Sequence, residues 1–207
     1  MEPVIAPLFT VTPLAWRPPD PGSLDAVLLT SANAAREGGP QLQRFLALPC
    51  HAVGEATADA ARAAGFRDVR SGAADGAAAL GGMAGTRVLH LCGREHLPLE
   101  RAGVSVDRVV VYAADAADVL PGEADAALER GALALLHSPR AGALFARLAD
   151  EAGVARGSVA ICAISEAAAA SAGAGWRSAH WAERPRDEAL LELARQLCQT
   201  GGGRVRE

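Results

Sequence analysis

One pattern occurs twice in this chain. Val-Leu-Leu-Thr-Ser-Ala-Asn-Ala begins at Val27, and Ala-Leu-Leu-His-Ser-Pro-Arg-Ala begins at Ala134. A second matched pair follows: Ala-Val-Gly-Glu-Ala-Thr-Ala at 52–58 and Ala-Ile-Ser-Glu-Ala-Ala-Ala at 163–169. Each copy reads as an apolar strand, a Ser-capped helix, a second strand, an Ala-rich helix and a Gly-aromatic pair, Gly65-Phe66 or Gly175-Trp176. Strands alternating with helices of this length predict βαβ units and parallel sheets, so the repeat predicts two similar α/β domains.

The individual elements follow from local signals. Asp25–Thr30, Cys50–Val53, Arg87–Cys92, Arg108–Tyr112, Ala132–His137 and Val159–Ile164 read as strands. Helices are expected over about 55–64, ending at Gly65, from Pro139 to about Ala152, after Ser165, and over Asp187–Cys198. Gly just past a helix and Pro at its first position are the usual punctuation. Pro3–Val11 and Val106–Ala113 are β-rich and belong to neither copy, which suggests a two-stranded connector crossed twice by the chain. The expected boundaries are 1–17 for the first connector strand, 18–105 for the first α/β domain and 106–116 for the second connector strand. The second α/β domain is placed at 117–200 and a flexible tail at 201–207.

Composition narrows the classes. Half of the 207 residues are hydrophobic, which is too many for disorder, and only 4% are aromatic. Alanine supplies 48 residues, so the core must be built from small side chains. No apolar run approaches a membrane span, and the opening Met1-Glu2-Pro3 lacks the pattern of a secretory signal. The net charge is −4 and all 20 basic residues are arginine, with no basic cluster before the tail. A nucleic-acid binder would show one. The missing lysine removes Schiff-base chemistry and the P-loop lysine. Cys50, Cys92, Cys162 and Cys198 form no CxxC and read as reduced thiols of a cytoplasmic protein.

In open α/β sheets, ligands collect beyond the carboxyl ends of strands, where helix N-termini present free N–H groups. The residues expected there include Thr30, Ser31, Gly54, Thr57, Gly93, Arg94, Ser138, Arg140 and Ser165. Hydroxyls, glycines and arginines of this kind suit carboxylates or phosphates. Ser31 and Ser138 equally suit plain helix caps. His90-Leu91-Cys92-Gly93-Arg94-Glu95-His96 resembles no zinc spacing and reads better as a strand with a buried, hydrogen-bonded histidine. No metal site is expected. GxGxxG and GxSxG are both absent, so neither a dinucleotide cofactor nor hydrolase chemistry has support.

The assembled pattern resembles the uroporphyrinogen-III synthase family over nearly the whole chain. The matching stretches are Pro7-Leu8, Leu-Leu-Thr-Ser-Ala-Asn-Ala, Ala-Val-Gly-Glu-Ala-Thr-Ala, Leu-Cys-Gly-Arg-Glu, Val-Val-Val-Tyr, Leu-His-Ser-Pro-Arg-Ala and Glu-Arg-Pro-Arg-Asp-Glu-Ala-Leu-Leu. The resemblance implies two flavodoxin-like parallel-sheet domains joined by a two-stranded β connector. It also implies the closure of hydroxymethylbilane with loss of water and inversion of ring D through a spiro intermediate, by a cytoplasmic monomer requiring no cofactor. Tyr112 in Val-Val-Val-Tyr becomes the candidate proton donor, or else the anchoring aromatic of the connector. Thr57 and Ser138 carry over as substrate-binding groups for a linear tetrapyrrole.

Two departures stand out. The threonines that the family carries in the second repeat are replaced in Ser165-Glu166-Ala167-Ala168-Ala169. Members also begin with a strand–Thr-Arg-Pro–helix unit, and none precedes Glu2 here. The expectation is therefore a second domain lacking its first strand and helix, as in an N-terminally shortened chain. The alternative is a non-catalytic two-domain binding or sensor protein for an acidic small molecule that kept the fold.

Overall fold

The computed structural model describes residues 2–73 and 75–201, and the rest of the expected tail lies outside the described residues. The chain is a mixed α/β protein dominated by parallel pairing. It divides into two compact units, Thr10–Asp115 and Met1–Phe9 with Ala116–Glu207.

The first of these holds β1 (Phe9–Pro13), β2 (Ala26–Leu29), α1 (Ala32–Glu37), β3 (Cys50–Val53), α2 (Glu55–Ala63), β4 (Val69–Ala73), α3 (Gly76–Ala79), β5 (Arg87–Gly93) and β6 (Ser105–Ala116). They form one sheet in the order β1-β6-β5-β2-β3-β4. The pairs β2–β3, β2–β5, β3–β4 and β5–β6 are parallel. The central strands β2 and β5 are apolar on both faces, as a covered parallel strand must be. One face packs Val27, Leu29, Leu89, Leu91 and Val111 against α1, α2, Phe45 and Phe66. The other packs Ala26, Leu28 and Val88 under Leu80 and Met83.

The sheet order corrects one expectation. Counted from β2, the five parallel strands run 3-2-1-4-5, whereas a flavodoxin-like sheet runs 2-1-3-4-5. Both crossovers from β2 step the same way, because Val69–Ala73 pairs with Cys50–Val53 and not with β2. The chain then returns to the other side of β2 to lay down β5. The topological switch therefore falls between β2 and β5.

The β-rich opening also forms less strand than its composition suggested. Strand begins only at Phe9, because Pro3 and Pro7 have no N–H to give to a ladder. Leu14 N–H donates to Val111 O at 2.8 Å, and Ala117 N–H to Leu8 O at 2.9 Å. Numbers rise along one strand as they fall along the other, so β1 and β6 run antiparallel. The limits between the two units fall within this strand pair.

The other unit contains α4 (Gly122–Glu129), β7 (Leu133–Leu136), α5 (Pro139–Glu151), β8 (Ala160–Ala163), α6 (Glu166–Ser171), β9 (Ser178–Trp181) and α7 (Asp187–Gly201). Its sheet is parallel, β7-β8-β9, so the segment from β7 to β9 repeats the path from β2 to β4. Leu190, Leu193 and Leu197 of α7 cover one face, while α5, α6 and Trp176 cover the other. Arg156 clamps the end of α6. Its guanidinium meets both Asp150 carboxylate oxygens, at 2.7 and 2.6 Å. It also donates to the carbonyls of Ala172 and Ala174 and lies 4.9 Å from the Trp176 ring centroid.

Helices α5 and α6 approach through Gly142, where an added Cβ would collide with the Ala168 carbonyl oxygen. Both atoms belong to helical backbone and cannot step aside. Gly142→Ala is expected to destabilise the protein by about 1–3 kcal/mol, despite alanine's better helix propensity. Thermal unfolding reads this, and an unchanged or raised midpoint would refute the close contact. Among the described residues, no helix is long and apolar enough to cross a membrane.

Candidate functional site

Placing each strand's carboxyl end fixes the order of the residues beyond it. In the six-stranded sheet this edge runs from Tyr112 on β6 to Gly93 and Arg94 at the end of β5. Thr30 and Ser31 follow after β2, then Gly54 and Thr57 after β3. Thr30 and Gly93 thus flank the switch between β2 and β5, the place where doubly wound sheets bind ligands. In the three-stranded sheet, Ser138 and Arg140 follow β7, and Ser165 follows the adjacent β8.

The serines cap helices. Ser31 Oγ accepts from Asn33 N–H at 3.2 Å, Ser138 Oγ from Ala141 N–H at 3.0 Å and Ser165 Oγ from Ala168 N–H at 3.3 Å. Each cap uses a lone pair of the oxygen and leaves the O–H free to donate. Gly54 opens α2 at φ 79°, a conformation that side chains rarely adopt.

The arginines are engaged. Arg94 Nη1 pairs with Asp115 at 2.9 Å, both groups half in solvent, and the Arg140 guanidinium lies 4.4 Å from the Phe9 ring centroid.

Thr30 has a partner that the sequence did not assign to it. Its Oγ1 is 3.1 Å from Nε2 of His90, which is 1% exposed and faces Leu28 across the β2–β5 ladder. Nδ1 of His90 has no hydrogen-bond partner among the described residues. Burial first, then the charges of Arg108 and His96, push the imidazole down to about 4, so it is neutral at pH 7. Cys92, beside Gly93, is pushed up to about 11 by burial and is no thiolate nucleophile.

Tyr112 and Thr57 are the unusual hydroxyls. Both residues are buried, at 8% and 5% exposure. Neither hydroxyl has a hydrogen-bond partner among the described residues, although a buried tyrosine normally finds one. Among the described residues, the one sealed side-chain polar atom without a partner is His90 Nδ1, so both oxygens reach the surface. Gly93, expected as a ligand-binding glycine, also makes room for Tyr112. A Cβ there would stand 2.7 Å from Tyr112 Cζ and 2.9 Å from both Cε2 and Oη. A glycine ending one strand beside an aromatic on the next was the visible signal, but the register that brings them together was not.

The sequence model of the family described as Uroporphyrinogen-III synthase HemD matches residues 1–192. No curated protein matches the chain. Among solved structures, the fold is similar to that of the uroporphyrinogen-III synthetase of Helicobacter pylori. That match has 20% identity, covers 92% of this chain and 91% of that one, and has a TM-score of 0.65. It is also similar to a mutant uroporphyrinogen III synthase from the extremely thermophilic bacterium Thermus thermophilus, at 17% identity over 96% of this chain and 90% of that one, with a TM-score of 0.56. At these identities the structures speak for the fold alone, whereas the family match spans nearly the whole sequence. The chain therefore belongs to the uroporphyrinogen-III synthase family, cyclising lyases of porphyrin and heme biosynthesis.

Proposed function

We propose that this chain closes hydroxymethylbilane to uroporphyrinogen III, with Tyr112 as the proton donor to the departing hydroxyl. The observation that carries this reading is a buried tyrosine whose hydroxyl reaches the surface with no hydrogen-bond partner among the described residues. Such a hydroxyl is available to a ligand.

The terminal C–O bond of the bilane breaks as the Tyr112 O–H gives its proton, and water leaves. The electrophilic methylene left behind bonds to the substituted α-carbon of ring D to give a spiro intermediate. The older bond from that carbon to the methylene bridging rings C and D then breaks, and that freed methylene bonds to the unsubstituted α-carbon of the now inverted ring D. The proton released when that pyrrole regains aromaticity returns to the Tyr112 oxygen, so acid and base balance. Most of the rate gain comes from holding a flexible bilane in a reactive geometry. Carboxylates of the substrate are met by O–H donors at Thr57, Ser31, Ser138 and Ser165, by Arg94 and Arg140, and by the backbone at Gly54. Thr30 acts with His90 at the switch point. The alanines at 167–169 leave Ser165 and the α6 N–H groups to serve that end of the substrate. The protein acts as a cytoplasmic monomer.

Incubating the full chain with hydroxymethylbilane and separating the product isomers tests the function. Predominantly type III product is expected. Type I product alone, the outcome of spontaneous closure, would refute the reading.

A further inference from the structure

The Tyr112 ring occupies the volume that a side chain on Gly93 would fill. Two features of the chain create this contact. The β5–β6 register shifts between Cys92, opposite Val110, and Gly93, opposite Tyr112. Val111 is the extra residue of this bulge, and it is fully buried in the core with Phe45 and Leu91. Bulges re-aim side chains in this way beside functional sites. The second feature is the absent Cβ at residue 93. Gly93 is not among the glycines with positive φ, so its backbone would tolerate any residue. What excludes a side chain there is the phenol ring, and above all its hydroxyl end.

We infer that Gly93 is a positioning residue for the reaction: its missing side chain and the bulge at Val111 set where the Tyr112 hydroxyl stands. This rests on the reading of Tyr112 as proton donor. A methyl group at residue 93 must push the ring outward, because the atoms it meets lie at 2.7–2.9 Å and well inside van der Waals contact. Displacement of a reacting group by about 1 Å costs about 100-fold in rate.

Tyr112 is the only tyrosine in the chain, so tyrosine labelled with carbon-13 at Cζ gives a single resonance that reports on this phenol alone. In Gly93→Ala the resonance is expected to move, kcat for ring closure to fall about 100-fold, and KM to stay near wild type. A soluble Gly93→Ala protein with an unmoved resonance and full kcat overturns the inference. Should Gly93→Ala fail to fold, the double variant Gly93→Ala/Tyr112→Ala decides. Recovery of folded protein upholds the contact, and failure of both variants overturns it. A moved resonance with full activity in both Gly93→Ala and Tyr112→Phe would fault the donor reading instead, with the ring contact intact.

Discussion

Tyr112→Phe is expected to lower kcat for ring closure by roughly 10²–10⁴-fold, the range a positioned general acid supplies. KM should stay close to wild type, because a proton passed in the transition state contributes little to ground-state binding. The thermal midpoint should also hardly move. The ring keeps its packing against the core that includes Val111 and Leu91, and the lost oxygen has no hydrogen-bond partner among the described residues whose removal would cost stability. Catalysis and stability are therefore separable at this residue, which is uncommon for a side chain so deeply buried. The variant's residual product should shift toward the spontaneous type I isomer. A wild-type kcat in the folded variant would sink the donor role and leave Tyr112 as a connector aromatic.

The parts of this fold that the sequence made legible are those whose burial is complete. Val27-Leu28-Leu29, Val88–Leu91 and Ala160–Ala163 are covered on both faces, so they appear as short apolar runs whatever their neighbours. The capping serines were legible for an equally local reason, since each bonds an N–H two or three residues away. Strands β4 and β9 were missed. They lie at sheet edges, half exposed, and Arg70-Ser71-Gly72 or Ser178-Ala179-His180 carries no apolar signal. The sheet order was beyond reach for a related reason, because it depends on which edge accepts β4 and not on any property of Val69–Ala73 alone. At the candidate site, the residue types were readable and their pairings were not. Thr30 with His90, and Gly93 with Tyr112, are set by the registers of β2 on β5 and of β5 on β6. Register emerges only when the strands assemble.

Lowering the pH from 6.5 toward 4 is expected to remove about 3 kcal/mol of stability through His90 alone. The imidazole ionises near its ordinary value of 6.5 when the chain is unfolded but near 4 in the fold. Between those limits the unfolded state binds the proton and the folded state does not, so stability is complete above 6.5 and declines as the pH falls. The cause is structural. His90 is sealed in the sheet, its Nδ1 has no partner among the described residues, and Arg108 and His96 add positive charge nearby. His51, also pushed down by burial, titrates from the same starting value. Asp68 and Asp150, held low by Arg70 and Arg156, stabilise the fold above the ordinary carboxylate value and lose that contribution only as the pH falls below it. The decisive comparison is with His90→Leu, which removes the titrating ring and its unpartnered nitrogen while filling the same apolar space. Urea unfolding at pH 7 should find the variant close to wild type, since losing the Thr30 bond offsets losing a buried, unsatisfied atom. At pH 4.5 the variant should be the more stable of the two. Equal slopes of stability against pH in both proteins would show that the imidazole is not held neutral by this fold.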